Sequence, residues 1–269
     1  MRKTIFITGA SSGLGKATAK LFQSKGWNVI ATMRTPEKEE ELNKLDHVTL
    51  MKLDVTNLDQ INEAAEKAIK MGVDVVFNNA GYGLMGPLEA LNDEKIQQQL
   101  NTNLLGVIRV TKDFIPYFRE KKGGLFLTTT SMGGFVAFPF FSIYHATKFA
   151  LEGWSESLSY ELSKFNIGVK TIAPGVISTG FLTRSLSINL HPEYKDIEDK
   201  ISGGFSEESN KMASTSEEIA EIVYEAATDG KNQIRYIAGK DANSLRKRQL
   251  EIGREELRKE IAHQFGLLK

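Results

Sequence analysis

The sequence of 269 residues contains no cysteine, which excludes disulfides, thiolate zinc sites and a cysteine nucleophile and points to a reducing compartment. Its four histidines, His47, His145, His191 and His263, show no ligand spacing, so no metal is expected. An excess of charge is missing too. Lys plus Arg equals Asp plus Glu at 34 each, so no net field draws the molecule to nucleic acid or an anionic membrane. No stretch approaches the roughly 20 apolar residues of a membrane span. The opening residues 1–8 hold too short an apolar run for a signal peptide. We see no internal repeat, low-complexity segment or linker. These absences leave a soluble, cytoplasmic protein acting on a small molecule.

What is present is an alternation of short apolar runs and helical periods. The length suits one large α/β domain covering 1–269. Runs at 4–8, 29–33, 48–53, 73–78, 124–130, 169–173 and 234–238 read as buried parallel strands, which need no polar alternation because helices cover both faces. Helical segments fall at 14–25, 37–45, 58–71, 93–120, 144–165 and 216–228. Thr56-Asn57 and the serines and threonine of 214–216 read as helix starts. The repeated βαβ order predicts a single-domain Rossmann fold, a doubly wound parallel sheet of about seven strands.

Two regions break the rhythm. Residues 178–213 form a long irregular insertion carrying Phe181, Leu182, Leu186, Leu190, Tyr194, Ile201, Phe205 and Met212, as a substrate loop or lid would. A helical tail at 243–269 places Leu250, Leu257, Ile261 and Phe265 on one apolar face among charges of mixed sign. That mixture favours docking on the protein's own surface or a subunit contact over a membrane anchor.

Where the first strand meets the first helix the chain reads Thr8-Gly9-Ala10-Ser11-Ser12-Gly13-Leu14-Gly15. Glycines there allow a tight turn, let backbone N–H groups approach a pyrophosphate, and bring helix and strand close. The spacing is GxxxGxG instead of the common GxGxxG. The second strand ends in Met33-Arg34. Met33 offers no carboxylate for a ribose 2′-hydroxyl, whereas Arg34 can pair with a 2′-phosphate, which favours NADP(H) over NAD(H). Ser11 and Ser12 stand ready as further donors.

Tyr144 and Lys148 are four apart on a helical segment, so both project from one face. A phenol with an ordinary pKa of about 10 is a poor base, and a nearby ammonium stabilises its anion. Ser131 ends a strand thirteen residues earlier, where its hydroxyl can reach the same carbonyl oxygen. Asn103 lies in the long 93–120 helix, where an amide can hold a water beside Lys148. His145 reads as an ordinary helix residue next to this set, and Asn78 as an amide tying neighbouring strands.

Together Asp54, Asn78-Asn79-Ala80-Gly81, Asn103, Ser131, Tyr144 to Lys148 and Pro174 to Thr179, following the glycine turn, resemble the short-chain dehydrogenase/reductase family over nearly the whole chain. The segments 31–34, 148–153 and 235–242 look like its 17β-hydroxysteroid and retinol dehydrogenase branch, which implies a lipophilic alcohol or ketone. The resemblance implies catalysis by Asn103, Ser131, Tyr144 and Lys148, with Tyr144 as general acid/base on a carbonyl and a primary or secondary alcohol. It implies that Gly9, Ser11, Ser12, Gly13, Leu14, Gly15 and Arg34 hold the nucleotide. Asp54 and Val55 would contact adenine; Asn79, Ala80 and Gly81 would border the adenosine and ribose. Pro174, Gly175, Ile177 and Thr179 would border the nicotinamide and phosphates, with Tyr144 and Lys148 beside them. It also implies a homodimer or homotetramer built on the 93–120 and 144–165 helices. Phe135, Phe138, Phe140, Phe141 and Met85 are candidates for an apolar cleft. Two rival readings are a non-catalytic NADP(H)-sensing regulator and a sugar-nucleotide epimerase or dehydratase, the latter lacking the chain for a larger C-terminal domain.

Overall fold

A computed structural model describes residues 2–178, 186–204 and 212–267. Seven strands form one sheet in the order β3-β2-β1-β4-β6-β7-β9: β1 (Thr4–Thr8), β2 (Asn28–Met33), β3 (Val48–Lys52), β4 (Val75–Asn78), β6 (Gly124–Thr129), β7 (Ile167–Pro174) and β9 (Arg235–Ala238). Every pairing is parallel. Strand β1 pairs with both β2 and β4, so the winding reverses beside it and leaves a crevice at the carboxyl ends of the strands.

Alternation along the strands explains the two layers. Ile5 and Ile7 of β1, with Val29, Ala31 and Met33 of β2, face α1 (Gly13–Ser24) and α7 (Ser216–Thr228), where Phe22, Ile219, Ala220 and Val223 complete one core. Phe6 and Ile30 face the other way, onto α2 (Leu58–Met71), α4 (Gly106–Lys121) and α5 (Ser142–Ser163), meeting Ile61, Val110, Phe114, Phe118 and Leu158. Both faces are covered, which is why the strands read as unbroken apolar runs. Helix starts are chemically marked: Asn57 accepts the Gln60 N–H, and Thr215 forms a reciprocal capping box with Glu218.

Three expectations are corrected. Residues 37–45 are not a helix but two short turns, Pro36–Lys38 and Leu42–Lys44. The Glu39 carboxylate takes the N–H groups of Glu41 and Leu42 and pairs with Lys16, a local alternative that displaces helical bonding. The 93–120 rod is interrupted: α3 (Asp93–Leu100) passes through a π turn, Asn101–Leu105, into α4. The tail is two helices, α8 (Lys240–Ile252) and α9 (Arg254–Gln264), broken at Gly253 with φ 83°. Leu250 is 71% exposed, whereas Leu257, Ile261 and Phe265 are buried.

A second, smaller sheet pairs β5 (Gly83–Met85) with β8 (Leu186–Ile188) in parallel. Together with α6 (Lys195–Gly204) it flanks the crevice. A third apolar cluster joins Met85 and Val136 to Ile201 of α6 and to Leu257, Ile261 and Phe265. Phe181, Leu182 and Phe205 of the insertion lie outside the described residues. Among the described residues no helix is long and apolar enough to cross a membrane.

Candidate active site

The glycine turn has steric reasons for each glycine. Gly9 and Gly13 have φ of 69° and 51°, a region other residues rarely adopt. A Cβ on Gly15 would lie 2.3 Å from the Gly9 carbonyl oxygen and 2.6 Å from Asn79 Nδ2. Ser12 precedes α1 without a side-chain cap bond, no acidic residue occupies the first turn, and no atom lies within 4 Å of a Cβ built on Gly13. The helix therefore presents uncapped N–H groups to an open cradle, the arrangement that takes a phosphate. These residues fit a dinucleotide. Ser11 and Ser12 are exposed there, while Leu14 buries its side chain in the core and can offer only backbone.

Neighbouring strand ends brace this turn. The Thr8 hydroxyl accepts the N–H groups of Asn79 and Ala80 at 2.9 and 3.0 Å, and Asn79 Nδ2 donates to the Thr8 and Gly9 carbonyls. Thr129 of β6 donates to Asn79 Oδ1 at 3.2 Å. Asn78 donates to Thr111 and ties β4 to α4. Arg34 ends β2 exposed, with no hydrogen-bond or ion-pair partner among the described residues. Beside it, Ser11, Lys16, Met33, Thr35, Lys38 and Glu39 to Glu41 line a cleft of about 280 Å³. Asp54 folds its Oδ1 onto the N–H and hydroxyl of Thr56, and Val55 packs against Gly106 of α4.

On the other flank Pro174 ends β7, and Gly175 donates to Ala238 at 2.9 Å. Asp241, at the start of α8, accepts the Val176 N–H at 2.6 Å. A Cβ on Gly175 would fall 1.9 Å from its carboxylate, so only glycine fits. Ile177 bridges to Ser214, and Thr179 lies outside the described residues. Sequence reasoning missed Asp241, although it stands within the 235–242 segment singled out above.

The residues expected to handle a proton converge where β6 meets α5. Ser131 follows β6, and its Oγ accepts the Gly133 N–H at 3.0 Å, leaving the hydroxyl proton free to favour the Tyr144 phenolate. Burial pushes the Tyr144 phenol up from its ordinary pKa and the Ser131 bond opposes the rise. The expected net depression by Lys148 is therefore not produced by the protein's own groups. Lys148 is buried, with Nζ 5.7 Å from the Tyr144 ring centroid and donating to the Thr129 carbonyl at 2.9 Å. Burial pulls its ammonium down to about 8, with the charge of Glu152 opposing.

Asn103 sits within the π turn, and its amide is turned onto the backbone of Tyr82: Oδ1 accepts the N–H at 3.0 Å and Nδ2 donates to the carbonyl at 2.8 Å. A Cβ on Gly81 would lie 3.1 Å from that Oδ1, so Asn103 packs directly under the Asn-Ala-Gly turn. His145 is a clamp. Its Nδ1 meets the Gly133 carbonyl at 2.8 Å and its Nε2 accepts the Phe138 N–H at 2.8 Å, which fixes the neutral ring and shapes the 131–138 segment. Burial lowers its pKa, opposed by the bond to the Gly133 carbonyl. Phe135, Phe138, Phe140 and Phe141 pack on the third cluster, so α9 backs the apolar wall they form.

Fold and geometry together define a nucleotide-dependent oxidoreductase, and the chain belongs to the short-chain dehydrogenase family, whose sequence model matches residues 3–187. Among individual proteins, it is 41% identical over 179 residues to a 3-ketodihydrosphingosine reductase of Bacteroides thetaiotaomicron, covering 66% of this chain and 65% of that one. A short-chain dehydrogenase structure from Streptomyces avermitilis superposes with a TM-score of 0.81 at 29% identity, over 93% of this chain and 95% of the other. The structure of ElxO with NADP bound gives 0.74 at 27%, over 88% and 98%.

Proposed function

We propose that this oxidoreductase uses NADP(H) to interconvert a carbonyl and an alcohol on a small lipophilic substrate. When bound, the dinucleotide supplies or accepts the hydride. The observation that carries the reading is the convergence of Ser131 and Tyr144 with Lys148 buried beside them, at the carboxyl end of the sheet. Tyr144, its phenol held protonated by burial, gives its proton to a carbonyl oxygen in the reductive direction and recovers it in the oxidative one. Ser131 donates to the same oxygen and stabilises its developing charge. Lys148 contributes positive charge near the phenol and a donor toward the nucleotide's ribose. Asn103 fixes the π turn and the 80–82 segment beside these residues, a positioning part in the proposed catalysis.

Gly9 to Gly15 with Ser11 and Ser12 would hold the phosphates, Asp54 and Val55 the adenine, Asn79 to Gly81 the adenosine side, and Pro174, Gly175, Ile177 and Thr179 the nicotinamide side. The free Arg34 fork and the NADP bound by ElxO support the 2′-phosphorylated form. The 17β-hydroxysteroid and retinol dehydrogenase likeness, the aromatic wall and the substrate class named for the Bacteroides relative support a lipophilic ketone. A homodimer or homotetramer accords with the family resemblance. NADPH oxidation across a carbonyl panel tests the reading. Turnover with hydrophobic ketones, lost in Tyr144→Phe while NADPH affinity stays, is expected; tight NADPH binding with no turnover on any carbonyl would favour a sensor.

A further inference from the structure

We infer that Glu152 is a positioning residue for the proton-handling pair, a buried carboxylate one helical turn beyond Lys148 that keeps the ammonium charged beside Tyr144. The inference rests on the acid/base reading of Tyr144. Glu152 is 7% exposed. Its Oε2 accepts from Arg235 Nε at 2.7 Å and, more distantly, from the Thr171 hydroxyl at 3.4 Å, whereas its Oε1 is buried without any hydrogen-bond partner. Side chains at i and i+4 of a helix stand about 5–6 Å apart at Cβ. Gly134 roofs this turn: a Cβ there would lie 3.0 Å from both Glu152 Cγ and the Lys148 carbonyl oxygen.

Lys148 has one neutral protein acceptor, the Thr129 carbonyl. A buried ammonium so placed loses its proton readily, and a nearby carboxylate opposes that loss. Arg235 bears on Glu152 from the solvent side; it is 45% exposed and shared with Glu156. Lys170 adjoins Thr171 but points to the opposite face of β7, onto Asp229 and Tyr236. Strand β5 is apolar, and α3 with the π turn buries only the uncharged Gln99 and Asn103. His145 on α5 is held neutral by Gly133 and Phe138, and Asp241 is bound to Val176.

Two variants shift the pair in opposite directions. Removing a negative charge lowers the proton affinity of every neighbour, so Glu152→Gln moves the high-pH limb of kcat/KM, set by the coupled Tyr144 and Lys148, to lower pH by about 1 unit. Removing the positive charge in Arg235→Gln moves the limb to higher pH by less, because solvent screens the exposed guanidinium. Glu152→Asp restores most of the limb. Lys148 itself, followed by NMR of isotope-labelled lysine in the enzyme without nucleotide and assigned with Lys148→Met, titrates in the same directions. A carboxylate that merely anchors β9 to α5 predicts lower stability in both variants with an unmoved limb. That result, or a shift of the same sign in both, overturns the inference. Arg235→Gln keeps the test open should Glu152→Gln fail to fold. Turnover surviving in Tyr144→Phe would instead remove the acid/base reading, so the two failures are distinguishable.

Discussion

The nucleotide side and the substrate side of the crevice are built by different means. On the first, backbone and hydroxyl groups meet at strand ends, and glycines are imposed by atoms 1.9 to 2.8 Å from where a Cβ would stand at Gly175, Gly15 and Gly9. On the second, apolar side chains from residues 85, 135–141, 186–201 and 257–265 gather in one cluster. Sterics of the first kind admit one residue type per position. Packing of the second kind admits many, provided volume is kept. On the function proposed above, reaction chemistry would be tied to the first flank and substrate choice to the second, which is free to vary.

Substitutions can break or sharpen that contrast. The largest effect is expected between the flanks: Tyr144→Phe should lower kcat by about 10³-fold, with NADPH affinity by fluorescence titration essentially unchanged. On the apolar flank, Ile261→Ala should cost about 3 kcal/mol in urea unfolding and raise KM for bulky ketones, leaving nucleotide affinity alone; weakened nucleotide binding would mean that the flanks are coupled. On the rigid flank, Gly15→Ala should cost about 2 kcal/mol of nucleotide affinity, read by calorimetry. Arg34→Ala should shift the NADPH over NADH preference by about tenfold; an unchanged ratio would move the 2′-phosphate site elsewhere. The smallest effect concerns His145, whose depressed pKa means the fold prefers the neutral ring. Stability should therefore fall as pH drops below the ordinary histidine value of about 6.5, by at most about 1.4 kcal/mol per unit. That slope should vanish in His145→Gln.

Much of the rigid flank was legible because its constraints act through residue type: glycines at a strand-to-helix junction, and Tyr and Lys at helical spacing. All seven main strands and the winding were readable from apolar runs. The 37–45 segment was misread because Glu39 finds backbone N–H groups locally, a competition that helical periodicity does not reveal. The π turn escaped notice since it costs the pattern only one extra residue, and its cause, the Tyr82 backbone, is 21 positions from Asn103. Strand β8 pairs with β5 across about a hundred residues, and α9 buries Ile261 against partners equally remote in sequence. Glu152 and Asp241 were visible as letters but not as partners of Arg235 and Val176.

The Thr8 hydroxyl ties the glycine turn to distant parts of the chain. The glycine pattern spans eight consecutive residues, yet the groups that brace it come from Asn79 and Ala80, 71 and 72 positions on. A fragment ending after β2 would carry the entire written motif and no cradle. During folding the turn must wait for loop closure by β4, so affinity for a nucleotide should report formation of the long-range β1–β4 pairing. Adding the missing strand in trans to such a fragment, and watching phosphate binding arrive with it, would turn a sequence motif into a clock for assembly of the sheet.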